Sequence, residues 1–153
     1  INEFVHFFSK EGLSEKLEFL NPDVIIKQVE NVTKNIEKRF DLTLSGKMKF
    51  NLMMHNALMV ERTMLGVEDY EIPANLEELT INQKPFFQNA KNIFYTLEQF
   101  YRIEISNWEL YVIYEILSSR WEGMGKATFQ RKVAFFSFLF SKIFQSAPCY
   151  SLL

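Results

Sequence analysis

Two imidazoles, one thiol and a spread of carboxylates are the groups this chain offers for nucleophilic or acid–base work. His55 is the most informative of them. It lies in Phe50-Asn51-Leu52-Met53-Met54-His55-Asn56-Ala57-Leu58-Met59-Val60-Glu61-Arg62, where a polar side chain costs free energy unless it is paired or exposed. At ~100° per residue, Asn51, His55 and Arg62 fall within about 40° of one another and form one narrow polar stripe on a helix. Two readings of that stripe stand open. In one, His55 is a structural histidine, hydrogen-bonded where two helices cross. In the other it is an accessible imidazole that becomes phosphorylated, with Arg62 two turns on to pair with the added charge.

The other candidates read as structural. His6, in Phe4-Val5-His6-Phe7-Phe8, is expected to be a partly buried or exposed helix histidine, and Glu77–Glu78 a solvated pair in a polar connection. There is no Gly-rich phosphate loop, no His-Glu-x-x-His, no Cys/His set able to hold a metal, and no Gly-x-Ser-x-Gly elbow. A nucleophile, a base and an orienting group are hard to assemble from two His and one Cys. The chain is therefore read as a binding or regulatory domain and not an enzyme, with no catalytic residue, cofactor or metal expected.

The elements that must carry these residues are helical. Five Gly and four Pro are too few for a turn-rich β protein, and apolar positions recur with helical spacing. The spacing predicts a short helix over Asn2–Lys10 stopping near Gly12, then a helix begun by Asn21-Pro22-Asp23 and ending near Phe40. Val24, Ile25, Val29, Val32 and Ile36 form its apolar stripe. Ser45 caps the next helix, which carries His55, runs to Leu65 and stops at Gly66. Apolar nearly all round, it belongs in the middle of a bundle. A connection over Val67–Ile81 holds a short turn of helix at Leu76–Leu79. Pro85–Tyr101 follows, with Phe86, Phe87, Ala90, Ile93, Phe94, Leu97 and Phe100 facing inward. Ser106-Asn107-Trp108-Glu109 has capping-box spacing and opens a helix through Leu117. After a linker, 121–127, a last helix is expected at 128–146.

Composition agrees with one folded domain. Of 153 residues, 48% are hydrophobic and 24% charged, enough to bury a core and too apolar for disorder. Sixteen Phe and six Met imply large, adaptable contacts. A net charge of −2 and the lack of a densely basic helix face argue against direct nucleic-acid contact. The charge is unevenly placed: residues 121–153 hold Lys126, Arg131, Lys132 and Lys142 against Glu122 alone. Cys149 has no partner for an internal disulfide, which fits a reducing, cytoplasmic setting. No signal peptide is visible, and the uncharged run Val133–Phe140 is too short to span a bilayer. The tail's apolar residues are read as packing within the molecule or between two copies, in preference to attachment to a membrane surface.

The stretch Met53 to Arg62 resembles the core motif of the PTS regulation domain (PRD), a histidine followed by apolar residues and an arginine seven positions on. Phe19-Leu20-Asn21-Pro22 and Leu42–Gly46 are similar to segments of the PRDs of levanase-operon-type, sigma-54-dependent activators. Phe94 to Leu110, with Ile105-Ser106-Asn107-Trp108-Glu109-Leu110 at its end, resembles the family's closing segment. The resemblance covers about residues 19–120, leaving 1–18 as a leading segment and 121–153 as an additional helical tail. It implies an all-α, compact five-helix bundle, commonly a homodimer, within a bacterial transcriptional activator or antiterminator. It further implies that His55 is the phosphoacceptor of HPr or a IIB component of the sugar phosphotransferase system, with Arg62 supporting it; the shared stripe adds Asn51 as a second supporting residue. Many PRDs hold a second histidine in the last helix. Tyr111-Val112-Ile113-Tyr114-Glu115-Ile116 has none, so a single acceptor is expected, as in the C-terminal PRD of levanase-type activators.

Two rival readings have different consequences. A histidine phosphotransfer relay domain is also a helical bundle with one reactive histidine, but its Lys-Gly following the histidine is replaced here by Asn56-Ala57-Leu58-Met59. A passive helical dimerisation module would use His55 only for packing and be indifferent to phosphate.

Overall fold

A computed structural model of the chain describes residues 2–67 and 71–119. The expected linker at 121–127, the helix at 128–146 and Cys149 lie outside the described residues. Among the described residues there are six helices and no strand: α1 (Asn2–Lys16), α2 (Pro22–Phe40), α3 (Gly46–Leu65), α4 (Leu76–Asn82), α5 (Lys84–Tyr101) and α6 (Asn107–Ser119). Five of them fall within 19–120, and the described residues are all-α, as the periodicity of the sequence requires.

The caps explain where the helices begin and end. Asn21 Oδ1 accepts the Asp23 N–H at 2.9 Å ahead of Pro22 at the first helical position. Ser45 Oγ accepts the Met48 N–H at 3.2 Å, and Gly66 closes α3 at φ +66°. That conformation carries no steric penalty for glycine. Asp41 and Arg102 take the same left-handed conformation after α2 and α5.

α1 differs from its expected length. It does not stop at Gly12 but runs on to Lys16. A glycine ends a helix when the backbone turns left-handed there, and Gly12 does not. A Cβ at Gly12 would lie at ordinary contact distance, 3.4 Å, from Met54 Cε on α3, so nothing in the packing requires a glycine there. The extra turn carries Leu13, which is fully buried.

α3 is the central element, packed on α1, α2 and α6. Leu52, Met53, Ala57, Met59 and Val60 are almost wholly enclosed, and burying side chains of this size contributes ~1.5–3 kcal/mol each for the larger ones. The remaining core gathers around Phe86 on α5. Its ring stacks on Phe40 at 5.4 Å and meets the edges of Tyr114 at 5.1 Å and Phe87 at 5.7 Å, separations at which aromatic pairs attract beyond their buried area.

Two expected inward residues face outward. Val24 is exposed, and α2 buries Ile26 beside Ile25. Phe100 is 54% exposed, because Tyr101 continues the row of Phe94, about 20° away around the axis. The short helix in the connection extends to Asn82, with Glu77 and Glu78 exposed in its first turn.

Candidate functional site

The polar stripe of α3 is positioned by the two caps just described, and the part of it nearest α6 meets an acid there. α6 opens after Ser106, whose Oγ accepts the Glu109 N–H at 3.3 Å. This is one half of the expected capping box. The Glu109 carboxylate reaches out to α3, where Oε1 accepts a hydrogen bond from Arg62 Nη2 at 3.0 Å. Its other oxygen, Oε2, lies 3.5 Å from His55 Nε2. One carboxylate, only 3% exposed, thus stands between an imidazole and a guanidinium two helical turns apart.

The three side chains differ in access to solvent. Arg62 is 36% exposed and His55 17%. Within His55 the Nε2 atom is enclosed and makes no hydrogen bond. Burial and, after it, the charge of Arg62 push the His55 imidazole down to about 4. It is therefore neutral at neutral pH, with one nitrogen carrying a proton and the other a lone pair. A neutral, partly exposed imidazole beside an arginine is chemically able to accept a phosphoryl group and to have its charge met.

Asn51, the third member of the predicted stripe, is half-buried one turn before His55. Among the described residues it bonds to neither His55 nor Arg62. His6 lies elsewhere, its Nδ1 2.6 Å from Glu30 Oε1, where it ties α1 to α2.

Two carboxylates that adjoin the stripe are not legible in the sequence as its neighbours. Glu109 reads as a capping-box residue and as part of the closing-segment resemblance, although an acid in the first turn of a largely apolar helix is the kind of partner that two polar residues on another apolar helix require. Glu61, next to Arg62, is 6% exposed. Its oxygens accept the N–H groups of Glu18, Phe19 and Leu20 at 2.9–3.0 Å. Burial alone would raise its pKa, but these three backbone bonds outweigh burial and lower it. The stripe is therefore flanked by a carboxylate that fastens the α1–α2 connection to α3.

Among the described residues no group of His, Cys, Asp and Glu is placed to hold a metal ion, and no helix is long and apolar enough to cross a membrane.

The family model described as PRD domain matches residues 30–120, a span that includes His55, Arg62 and Glu109. Over 116 residues the chain is 27% identical to the transcriptional regulatory protein DagR of Salmonella typhimurium. That alignment covers 76% of this chain and 12% of the relative, so the chain spans a small part of that protein's length. No solved structure matches the chain.

Proposed function

This chain belongs to the PRD domain family, and from that premise we propose that it is the regulatory domain of a bacterial transcriptional regulator, switched by phosphorylation of His55. The phosphoryl donor is a phosphocarrier of the sugar phosphotransferase system, HPr or a IIB component. The domain acts within a homodimer and touches no nucleic acid itself. The likeness to DagR supports the transcriptional setting, and the single histidine of the matched span supports a levanase-type, sigma-54-dependent activator as the parent.

The observation that carries this reading is the His55–Glu109–Arg62 arrangement. Phosphohistidine would add close to two negative charges, by analogy with other phosphorylated side chains. Arg62, already within reach of the stripe and partly exposed, would then have two anionic partners, the phosphoryl group and Glu109. Drawing Arg62 toward the phosphoryl group takes from the buried Glu109 its hydrogen-bond donor. That loss loosens the junction of α3 with α6. A change of a few kcal/mol at such a junction is enough to redistribute two packings of similar energy.

The reading is tested by passing phosphate from phosphoenolpyruvate through Enzyme I and the phosphocarriers to the chain, then mapping the acid-labile phosphate by peptide sequencing. The phosphate is expected on the peptide containing His55. Phosphate on His6 would overturn the assignment, and onward transfer to a receiver aspartate would favour a relay domain instead.

A further inference from the structure

The two nitrogens of His55 are not equivalent in this fold, and the difference bears on where a phosphorus–nitrogen bond can form. Nε2 is enclosed and has Glu109 Oε2 at 3.5 Å. The carboxylate is itself buried at 3% exposure and held on its other oxygen by Arg62 at 3.0 Å, so it cannot turn away without breaking that bond. The exposed part of the His55 side chain does not include Nε2.

We propose that Glu109 is a positioning residue that holds His55 as the Nε2–H tautomer, so that the phosphoryl group bonds to Nδ1. This rests on the reading of His55 as the phosphoacceptor.

Three physical arguments converge. A lone pair on Nε2 would face the carboxylate oxygen and be repelled by it, whereas an N–H there is attracted. A carboxylate beside one ring nitrogen fixes the tautomer and leaves the other nitrogen basic. A phosphoryl group on Nε2 would also have to occupy the space between that atom and a buried anion, with like charges in a poorly solvated site. The reaction at Nδ1 balances without any proton transfer. The Nδ1 lone pair attacks phosphorus, and the donor's bond to phosphorus breaks with its electron pair remaining on the donor. His55 keeps its Nε2 proton and becomes an N-phosphoryl imidazolium. The positive charge that the ring gains lies against Glu109, which stabilises it as it forms.

The test has two arms, both on the whole chain with isotopically labelled histidine. In the unphosphorylated protein, long-range proton–nitrogen correlation reads the tautomer of His55, with His6→Ala used to assign the signals. Nε2–H is expected, and a predominant Nδ1–H tautomer overturns the proposal while leaving His55 free to be the acceptor. In protein phosphorylated by the carrier system, phosphorus–proton correlation identifies the bonded nitrogen. Phosphorus on Nδ1 is expected, and phosphorus on Nε2 overturns the proposal. Glu109→Gln, which keeps the shape and removes the charge, is expected to give a mixture of tautomers and phosphorylation slower by about tenfold. An unchanged tautomer and rate in that variant would remove Glu109 from the role. If the tautomer is Nε2–H but no donor labels the chain, the phosphoacceptor reading fails, and the proposed site of bonding with it.

Discussion

Arg62 in the last turn of α3 donates to Glu109 in the first turn of α6 across 3.0 Å, joining two helix ends that are 47 residues apart in the chain. Each charge also suits its own helix, a cation at a C-terminus and an anion at an N-terminus. The pair is unevenly solvated, with Glu109 enclosed and Arg62 at the surface. Removing the arginine is therefore more disruptive than its exposure suggests, because the buried carboxylate loses its hydrogen-bond donor.

Arg62→Ala is expected to destabilise the chain by about 2 kcal/mol. This is less than the roughly 3–5 kcal/mol of a fully buried pair, since solvent screens the guanidinium. Combining it with Glu109→Gln should cost less than the sum of the two single changes. Urea unfolding of the four proteins gives the coupling, and strict additivity would mean that the pair contributes nothing.

His55 gives stability a pH dependence whose sign follows from its lowered pKa. Between the unfolded value near 6.5 and the folded value of about 4, the unfolded chain binds the proton and the folded chain does not. Stability is therefore full above about pH 6.5 and falls as the pH drops toward about 4. The fall is up to about 3 kcal/mol if the whole shift is expressed. Subtracting the curve of His55→Gln from that of the parent isolates this contribution from the carboxylates. A flat difference would mean that the imidazole is solvated in the folded protein.

Glu61 makes a separate prediction about the α1–α2 connection. Glu61→Gln keeps the side chain's size but exchanges a carboxylate accepting three backbone N–H groups for an amide with one accepting oxygen. A loss of about 1–3 kcal/mol is expected, with faster hydrogen exchange at the amides of residues 18–20. Unaltered exchange at those amides would show that the connection is held by its apolar contacts instead.

Gly12 inside α1 and Gly66 at the C-terminal cap of α3 should respond in opposite directions. Gly66→Ala forces a side chain into a left-handed conformation and should cost about 1 kcal/mol although the surrounding space is open. Gly12→Ala places a methyl at ordinary contact distance from the flexible end of Met54 and should stabilise α1 by ~0.5–1 kcal/mol. Thermal melts of both variants decide the matter; a loss in both would mean that α1 and α3 cannot absorb the added methyl.

The parts of this fold legible in the sequence are those written in neighbouring residues. Asn21-Pro22, Ser45 and Gly66 announce helix ends because capping is chemistry between residues two to four apart. The alignment of His55 with Arg62 follows from helix geometry alone. What the sequence leaves open depends on partners far along the chain. Gly12 reads as a stop until Leu13 is seen buried in the turn that follows it. Val24 and Phe100 read as inward because a stripe one residue off is equally apolar. Glu109 reads as a capping residue until α6 is placed beside α3, since a Ser-x-x-Glu spacing carries no sign of an arginine 47 residues earlier.

The central claim, that His55 is the phosphoacceptor, is tested most directly by intact-mass spectrometry. The chain, His55→Ala and His6→Ala would each be incubated with phosphoenolpyruvate, Enzyme I, HPr and candidate IIB proteins. One acid-labile phosphate on the parent chain and on His6→Ala, with none on His55→Ala, is the predicted result. Phosphate retained by His55→Ala, or absent from the parent chain with every donor, would contradict it.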